Sequence, residues 1–281
     1  NEDAAYSSTI IWTDQDGTDV VLSCTAGCSG WITFTDGGNS VDTATLTGTP
    51  LDAHVGANAI TIQGVSGGDT VQASYTITVG NVNDEPTLSA DTTTPTFTED
   101  GSNVVLYDNA NAADTDADET QTFEEIVVTI TNVADTTEYL VIDGSDCDIT
   151  SAATCVANTA TNAGAAVVTM ASTTATVTWT ADSGGITEAQ METLIDAIAY
   201  KNTDQSPTTG NTRVITITTL QDEGGVVGSG DDSVTVSIAS TVTVAAAADL
   251  PTSAAVTVAN VEDTQKTYAA GNFAFTDVDG D

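Results

Sequence analysis

The sequence predicts an all-β protein built as tandem antiparallel Greek-key sandwiches, on three observations. Runs of Val, Ile and Thr alternate with a period of two, short Gly/Asp/Asn/Ser clusters separate those runs, and a set of acidic marks repeats along the chain. The alternation is clearest over 70–79 (T-V-Q-A-S-Y-T-I-T-V), 125–131 (E-I-V-V-T-I-T) and 174–180 (T-A-T-V-T-W-T), and returns over 213–219, 233–238 and 255–258. β-Branched residues at every second position suit a pleated surface with one buried face. One segment has a different period. Thr187 offers an N-cap, Glu188 lies in the first turn, and Met191, Leu194, Ile195 and Ile198 recur at helical spacing, so one short helix is expected near 187–200.

The 281 residues carry 41 acidic side chains against three cations, Lys201, Arg213 and Lys266, for a net charge of -38. So acidic a chain must dilute its self-repulsion with salt or discharge it by binding cations at defined sites. It lacks the clustered Lys and Arg that phosphate backbones and anionic membrane surfaces require, which excludes nucleic acid and such membranes as partners. No window approaches 18 consecutive apolar residues, so no membrane span is expected. Asn1-Glu2-Asp3 has neither the basic nor the apolar region of a signal peptide, and the chain reads as mature or internal.

Four cysteines fall into two local pairs, Cys24 with Cys28 and Cys147 with Cys155, each in a turn-rich segment. Two short-range disulfides are expected, each contributing roughly 2 to 2.6 kcal/mol by loop entropy and implying an oxidising compartment; a zinc site is the weaker reading, because the spacings are not those of a paired C-x-x-C and the single histidine lies elsewhere.

The acidic marks set the organisation. An acidic pair opens a strand at Glu2-Asp3, Glu99-Asp100 and Glu262-Asp263, and each pair is followed by a spaced cluster: Asp14, Asp16 and Asp19; Asp114, Asp116 and Asp118; Asp277, Asp279 and Asp281. Proline-bearing junctions, Asn83-Asp84-Glu85-Pro86 and Asp249-Leu250-Pro251, precede the second and third pairs. Proline after an acidic residue holds the backbone extended, as a linker between stacked domains needs. The expected domains are 1–86, 87–250 with the helix, and 251–281 as the opening strands of a further repeat, which either continues in a longer array or is completed by a neighbouring chain through strand addition.

Calcium takes six to eight oxygen ligands in irregular geometry, and carboxylates at i, i+2 and i+4 of a loop can converge on one ion. Three D-x-D clusters in phase with an acidic pair and a linker point to calcium, with Asp3, Asp100, Asp118 and Asp249 among the candidate ligands. No cluster has the spacing and glycine of an EF-hand loop. Catalytic chemistry lacks its parts: His54 is the only histidine, so Ser-His-Asp and Cys-His machinery cannot be assembled, and the scarce aromatics leave little platform for a sugar.

Trp31-Ile32-Thr33-Phe34, Thr45 to Pro50, His54-Val55-Gly56, Ala59 to Ile62 and Asn81 to Pro86 together resemble a dystroglycan-type cadherin-like domain of bacterial surface proteins. Phe97 to Gly101, Ile198 to Thr203 and Pro207 to Arg213 resemble the longer cadherin-like repeats of giant bacterial adhesins, and Phe275 to Asp281 resembles the opening of another. The resemblance implies a seven-stranded sandwich per repeat with calcium at the junctions. It implies linker ligands Asn83 and Asp84, strand-start ligands Glu2, Glu99 and Glu262, and loop ligands Asp14, Asp16, Asp114, Asp116, Asp277 and Asp279. The expected function is a non-catalytic, calcium-stiffened repeat of an extracellular filament or adhesin stalk, with neighbouring repeats or identical subunits end to end, or a surface glycan or protein, as partners. The alternative is a spacer in a secreted carbohydrate-binding or hydrolytic protein.

Overall fold

The structure is a computed structural model, and it describes every residue except 16, 39–41, 117–120, 156–163, 183, 225–230, 270–271 and 278–281. The chain divides into two compact units. The first comprises residues 1–86 with 114–121 and 222–233, and the second comprises 87–113, 122–221 and 234–281.

Six strands of the first unit form two three-stranded antiparallel sheets: β1 (Tyr6–Ile11), β2 (Val21–Ala26), β3 (Thr33–Asp36), β4 (Thr43–Gly48), β5 (Gly56–Ser66) and β6 (Asp69–Val79). The orders are β1-β4-β3 and β2-β5-β6. Inward positions of the alternating strands supply Ile10, Leu46, Ile60 and Ile62 to the core, and Ile32 joins them from just before β3. The β5–β6 hairpin closes at the pair Ser66–Asp69 through Gly67 and Gly68, whose φ values of 59° and 100° suit a two-residue turn that side chains resist. The Cys24–Cys28 disulfide closes the loop at the end of β2.

The second unit contains β7 (Thr87–Thr92), β8 (Thr96–Thr98), β9 (Val104–Val105), β10 (Tyr107–Ala113), β11 (Phe123–Thr131), β12 (Glu138–Ile142), β13 (Ser145–Asp148), β14 (Ala153–Cys155), β15 (Gly164–Ala171), β16 (Thr174–Ala181), α1 (Glu188–Asp196), β17 (Ala199–Asn202), β18 (Arg213–Asp222) and β19 (Ser233–Ala245). A seven-stranded sheet runs β14-β15-β16-β11-β18-β19-β8, a four-stranded sheet runs β13-β12-β17-β9, and β10 pairs with β7. Opposed residues fill the core in complementary sizes, with Ile126 across from Trp179 and Ile130 across from Ala175. At Gly164 an added Cβ would lie 2.5 Å from the Trp179 ring, so the indole needs glycine there. The Cys147–Cys155 disulfide joins β13 to β14. A last hairpin pairs β20 (Thr252–Ala254) with β21 (Ala274–Thr276).

The helix is present but shorter than its periodicity suggests. It ends at Asp196, having buried Met191, Leu194 and Ile195 and packed against β10. Ala199–Asn202 is strand, not helix, because Tyr200 is drawn into the sheet opposite Leu140 of β12 and Val104 of β9. Aromatic and apolar residues that read as one face of a helix are equally good alternating strand residues, and the tertiary pairing decides.

The repetition read from sequence has a structural counterpart. The order β1-β4-β3 matches β9-β17-β12, and β2-β5-β6 matches β11-β18-β19. The first two opening acidic pairs make the same clasp. The Glu2 N–H donates to the Gly80 carbonyl (3.0 Å) and its Oε1 accepts from the Val82 N–H (2.7 Å). The Glu99 N–H donates to the Ala245 carbonyl (2.9 Å) and its Oε2 accepts from the Ala247 N–H (2.9 Å). The aspartates that follow, Asp3, Asp100 and Asp263, share a left-handed backbone, with φ of 52°, 57° and 59°. Asp tolerates that conformation better than most residues.

Candidate metal centre

The first unit gathers carboxylates from four stretches of sequence. Asp3 follows the opening clasp, Asp52 lies in the 3-10 turn Asp52–His54 after β4, and Asp84 belongs to the proline-bearing junction. One carboxylate oxygen from each of these three lies within 4.8 Å of the others, a spacing at which a cation can be shared. Burial, followed by the Asp52 and Asp3 charges, pushes the Asp84 carboxyl up. Glu2, Asp3, Asn83, Asp84 and Asp231 line one cleft of about 270 Å³.

A second, deeper group adjoins Asn83. Its Nδ2 donates to Asp222 Oδ1 (3.2 Å) and to the Asp231 carbonyl (2.8 Å). Gln121 Nε2 donates to Asn83 Oδ1 and to Asp116 Oδ2. Asp114 organises its own loop, accepting at Oδ1 from the Asp116 N–H (2.9 Å) and at Oδ2 from the Gln121 N–H (2.8 Å). The Asp84 N–H approaches Asp116 Oδ2 at 3.4 Å. Gly224 is required beside this group, since a Cβ there would sit 1.7 Å from Asn83 Oδ1.

Asp222 is the telling residue. It is fully buried, and its Oδ1 accepts from the Gly224 N–H (3.1 Å) as well as from Asn83. Its Oδ2 and the Gln121 Oε1 are buried without a hydrogen-bond partner among the described residues. Burial, with the Asp114 and Asp116 charges, pushes the Asp222 carboxyl up to about 6, against the opposing pull of the Gly224 and Asn83 donors. Two buried oxygens left without hydrogen atoms, beside two further carboxylates, form a donor set that a hard divalent cation would satisfy.

Of the residues singled out from sequence, Glu2, Asp3, Asn83 and Asp84 meet in the cleft, and Asn83 connects through Gln121 to Asp114 and Asp116. Asp14 stands elsewhere in the first unit, accepting from the Thr18 hydroxyl (2.9 Å). In the second unit Glu99 is buried in its clasp, Asp100 accepts from Gln205 (2.9 Å), Asp249 and Asp277 are half-buried and Glu262 is exposed. Asp16, Asp118 and Asp279 lie outside the described residues. Sequence reasoning passed over Asp52, Gln121 and Asp222 as ligands. The available signal was weak: an Asp in a turn after Pro50, and an acidic pair, Asp222-Glu223, where a long alternating run meets glycine. His54 serves its turn, with Nδ1 accepting from the Leu51 N–H (3.0 Å).

A second charged centre was also missed. Arg213 is fully buried and donates to Asp135 Oδ2 (2.9 Å), Glu138 Oε1 (2.8 Å), Glu138 Oε2 (3.1 Å) and the carbonyls of Thr208 and Asn211. The Tyr200 hydroxyl donates to Glu138 Oε2 (2.9 Å). Every donor and acceptor here has a partner of opposite character, as a structural ion network requires.

No family model matches the sequence, and no curated protein matches it. Among solved structures, human protocadherin-24 EC1-2 aligns over 82% of this chain and 84% of that chain at 12% identity, with a TM-score of 0.41. An endo-fucoidan hydrolase of glycoside hydrolase family 107 aligns over 88% of this chain at 15% identity and a TM-score of 0.28, and the chain spans 27% of its length. Tandem Ig repeats of Dlar align over 88% of this chain and 92% of that chain at 12% identity and a TM-score of 0.22. Scores this low carry no functional argument. The all-β class rests on the strands themselves, and no described helix is long and apolar enough to cross a membrane.

Proposed function

We propose that this chain is a calcium-stabilised structural repeat of an extracellular assembly, in the shaft of a bacterial cell-surface filament or adhesin stalk. The observation that carries the reading is the buried, hydrogen-deficient oxygen set around Asp222. Asp114, Asp116 and Asp222 would hold an ion with the amide oxygens nearby, and Asp3, Asp52 and Asp84 would hold another. The ion would supply charge neutralisation and no covalent chemistry. The chain's own residues do the rest: Asn83 and Gln121 tie the loops together, Gly224 permits their approach, and the Glu2 clasp fixes the strand from which the junction departs. The two disulfides and the acidic composition fit an oxidising, saline exterior.

Calorimetry in 10 mM calcium and in chelator tests the reading. Extracellular sites with dissociation constants of about 0.1 to 1 mM would add roughly 1.4 to 2.7 kcal/mol to the unit that binds. Coincident melting curves, together with no calcium binding by titration calorimetry, would remove calcium from the account.

A further inference from the structure

The segment 203–212 joins β17 to β18 with neither helix nor strand, yet its backbone is tied from beneath by charged groups. The buried Asp135 accepts at Oδ1 from the Thr208 N–H (2.9 Å), and the buried Arg213 guanidinium donates to the carbonyls of Thr208 (2.9 Å) and Asn211 (2.7 Å). Asn202 extends the same group: its Nδ2 donates to Asp135 Oδ2 (2.8 Å) and its Oδ1 accepts from the Asp204 N–H (2.8 Å). Asp204 Oδ1 in turn accepts from the Ser206 N–H (3.0 Å). Backbone groups outside sheets and helices take side chains or water as partners, and here they take the side chains of one buried ion network.

The same stretch of chain grips the opening turn of the second unit. Tyr200, whose hydroxyl donates to Glu138, sets its ring edge-on against Phe97 of β8 with 5.6 Å between centroids, and both rings are buried. Tyr200 also pairs with Val104 of β9. Between those points the Gln205 amide donates to Asp100 Oδ1 (2.9 Å). Asp100, with its φ of 57°, is the residue that follows the Glu99 clasp. Left-handed backbone is unfavourable for a residue that carries a side chain, so a hold on Asp100 from outside its own turn steadies that turn. The chain from Phe97 to Val104 is thus held at both ends and in its middle by residues 200–205.

We propose that the Arg213 network is a positioning device: it fixes residues 200–212, and through Tyr200 and Gln205 that segment positions the turn carrying the Glu99 clasp, so that loop and clasp open together as one local unit. Arg213 acts on the clasp through this segment. The end of β19, which Glu99 holds at Ala245 and Ala247, then stays closed for as long as the buried fork holds the loop. A guanidinium suits the task because its planar fork bonds two carboxylates and two carbonyls at once, which an ammonium does not reproduce. The device consists of the chain's own hydrogen bonds and needs no cation, so it stands or falls apart from the calcium reading.

Amide hydrogen exchange of the intact chain in chelator, followed residue by residue by NMR, tests it. Arg213→Lys is expected to speed exchange at Asp204 and Thr208 in the loop and at Glu99, Gly101 and Ala247 in the clasp by about tenfold or more, since all of them open with the network. Ile217→Val, a core change on the same strand as Arg213, is expected to speed exchange in β11 and β16 by about threefold or more while leaving the loop and clasp amides as they were. Gln205→Ala removes one surface hydrogen bond, too small a change to unfold the unit, and is expected to speed the clasp amides by about threefold or more. Clasp amides unmoved by Arg213→Lys overturn the proposal, by leaving the network a support of its own loop alone, and clasp amides unmoved by Gln205→Ala overturn it by removing the link. Equal acceleration of loop, clasp, β11 and β16 by Ile217→Val also overturns it, because loop and clasp would then open only with the whole sandwich.

Discussion

Replacing Asp222 with Asn separates the cost of its buried charge from the use of that charge. The asparagine keeps an oxygen to accept from Gly224 and Asn83, and places an amide where Oδ2 now lacks a hydrogen-bond partner. The aspartate titrates near 6 in the folded protein against 3.8 ordinarily, about two pH units, which corresponds to roughly 3 kcal/mol against the folded state when the group is ionised. In chelator at pH 7.5 the variant is therefore expected to melt higher, by on the order of 10 °C for a unit of about a hundred residues. In 10 mM calcium the roughly 1.4 to 2.7 kcal/mol gained by the native protein should largely vanish, so the variant's two melting curves converge. Differential scanning calorimetry reads both effects. A variant that melts lower in chelator and keeps the whole calcium increment would refute the assignment of Asp222 as a destabilising carboxylate held for an ion.

Acidifying the native protein in chelator from pH 7.5 to 4.5 is expected to raise the melting point of the first unit: the raised Asp222 pKa makes the penalty full above 6 and progressively relieved as pH falls from 6 toward 3.8, and Asp222→Asn should flatten that rise. Gly224→Ala is expected to abolish the calcium increment, read by calorimetry, because its Cβ would meet Asn83 Oδ1 and force the loop away. Arg213→Met leaves Glu138 and Asp135 buried without their cation and should cost about 3 to 5 kcal/mol in denaturant unfolding of the second unit. Arg213→Lys should recover only part of that, since one ammonium cannot reproduce the forked contacts to two carboxylates.

Much of this architecture was legible because the determinants are local. Alternating Val, Ile and Thr declare a half-buried strand without reference to partners, and runs such as 125–131 and 174–180 became β11 and β16 facing each other in the second core. The acidic pairs were legible as marks of repetition because backbone and side chain both constrain them: a glutamate that clasps the last strand and an aspartate that turns left-handed. Residues whose role depends on distant partners were not legible. Asp222 lies beside Asn83, 139 positions away in sequence, and nothing in its neighbours says that its second oxygen finds no hydrogen-bond partner among the described residues. Arg213 reads in sequence as one of three scarce cations on a strand, and only the fold reveals two carboxylates from the segment 135–138 closing on it. The end of α1 was misjudged for the same reason, because Tyr200 satisfies helical and strand spacing alike until β12 and β9 claim it.

The clasp also explains why a glutamate rather than an aspartate stands at positions 2 and 99. The carboxylate must reach past its own N–H, already bonded to the last strand, to the N–H two residues further along: from Gly80 to Val82 in one unit, from Ala245 to Ala247 in the other. The extra methylene supplies that reach. One oxygen of Glu99 is spent on this bond, and its Oε1 is buried with no hydrogen-bond partner among the described residues. If the proposed calcium reached that oxygen, the glutamate would couple two events that are otherwise independent, closure of the sandwich and capture of a cation. An ion bound there would hold the glutamate, the glutamate would hold the strand end, and the strand end would fix the point from which the next linker departs. Stiffness in such an array would then be set at the clasp, by two hydrogen bonds and a charge, with the sandwiches acting as its rigid supports.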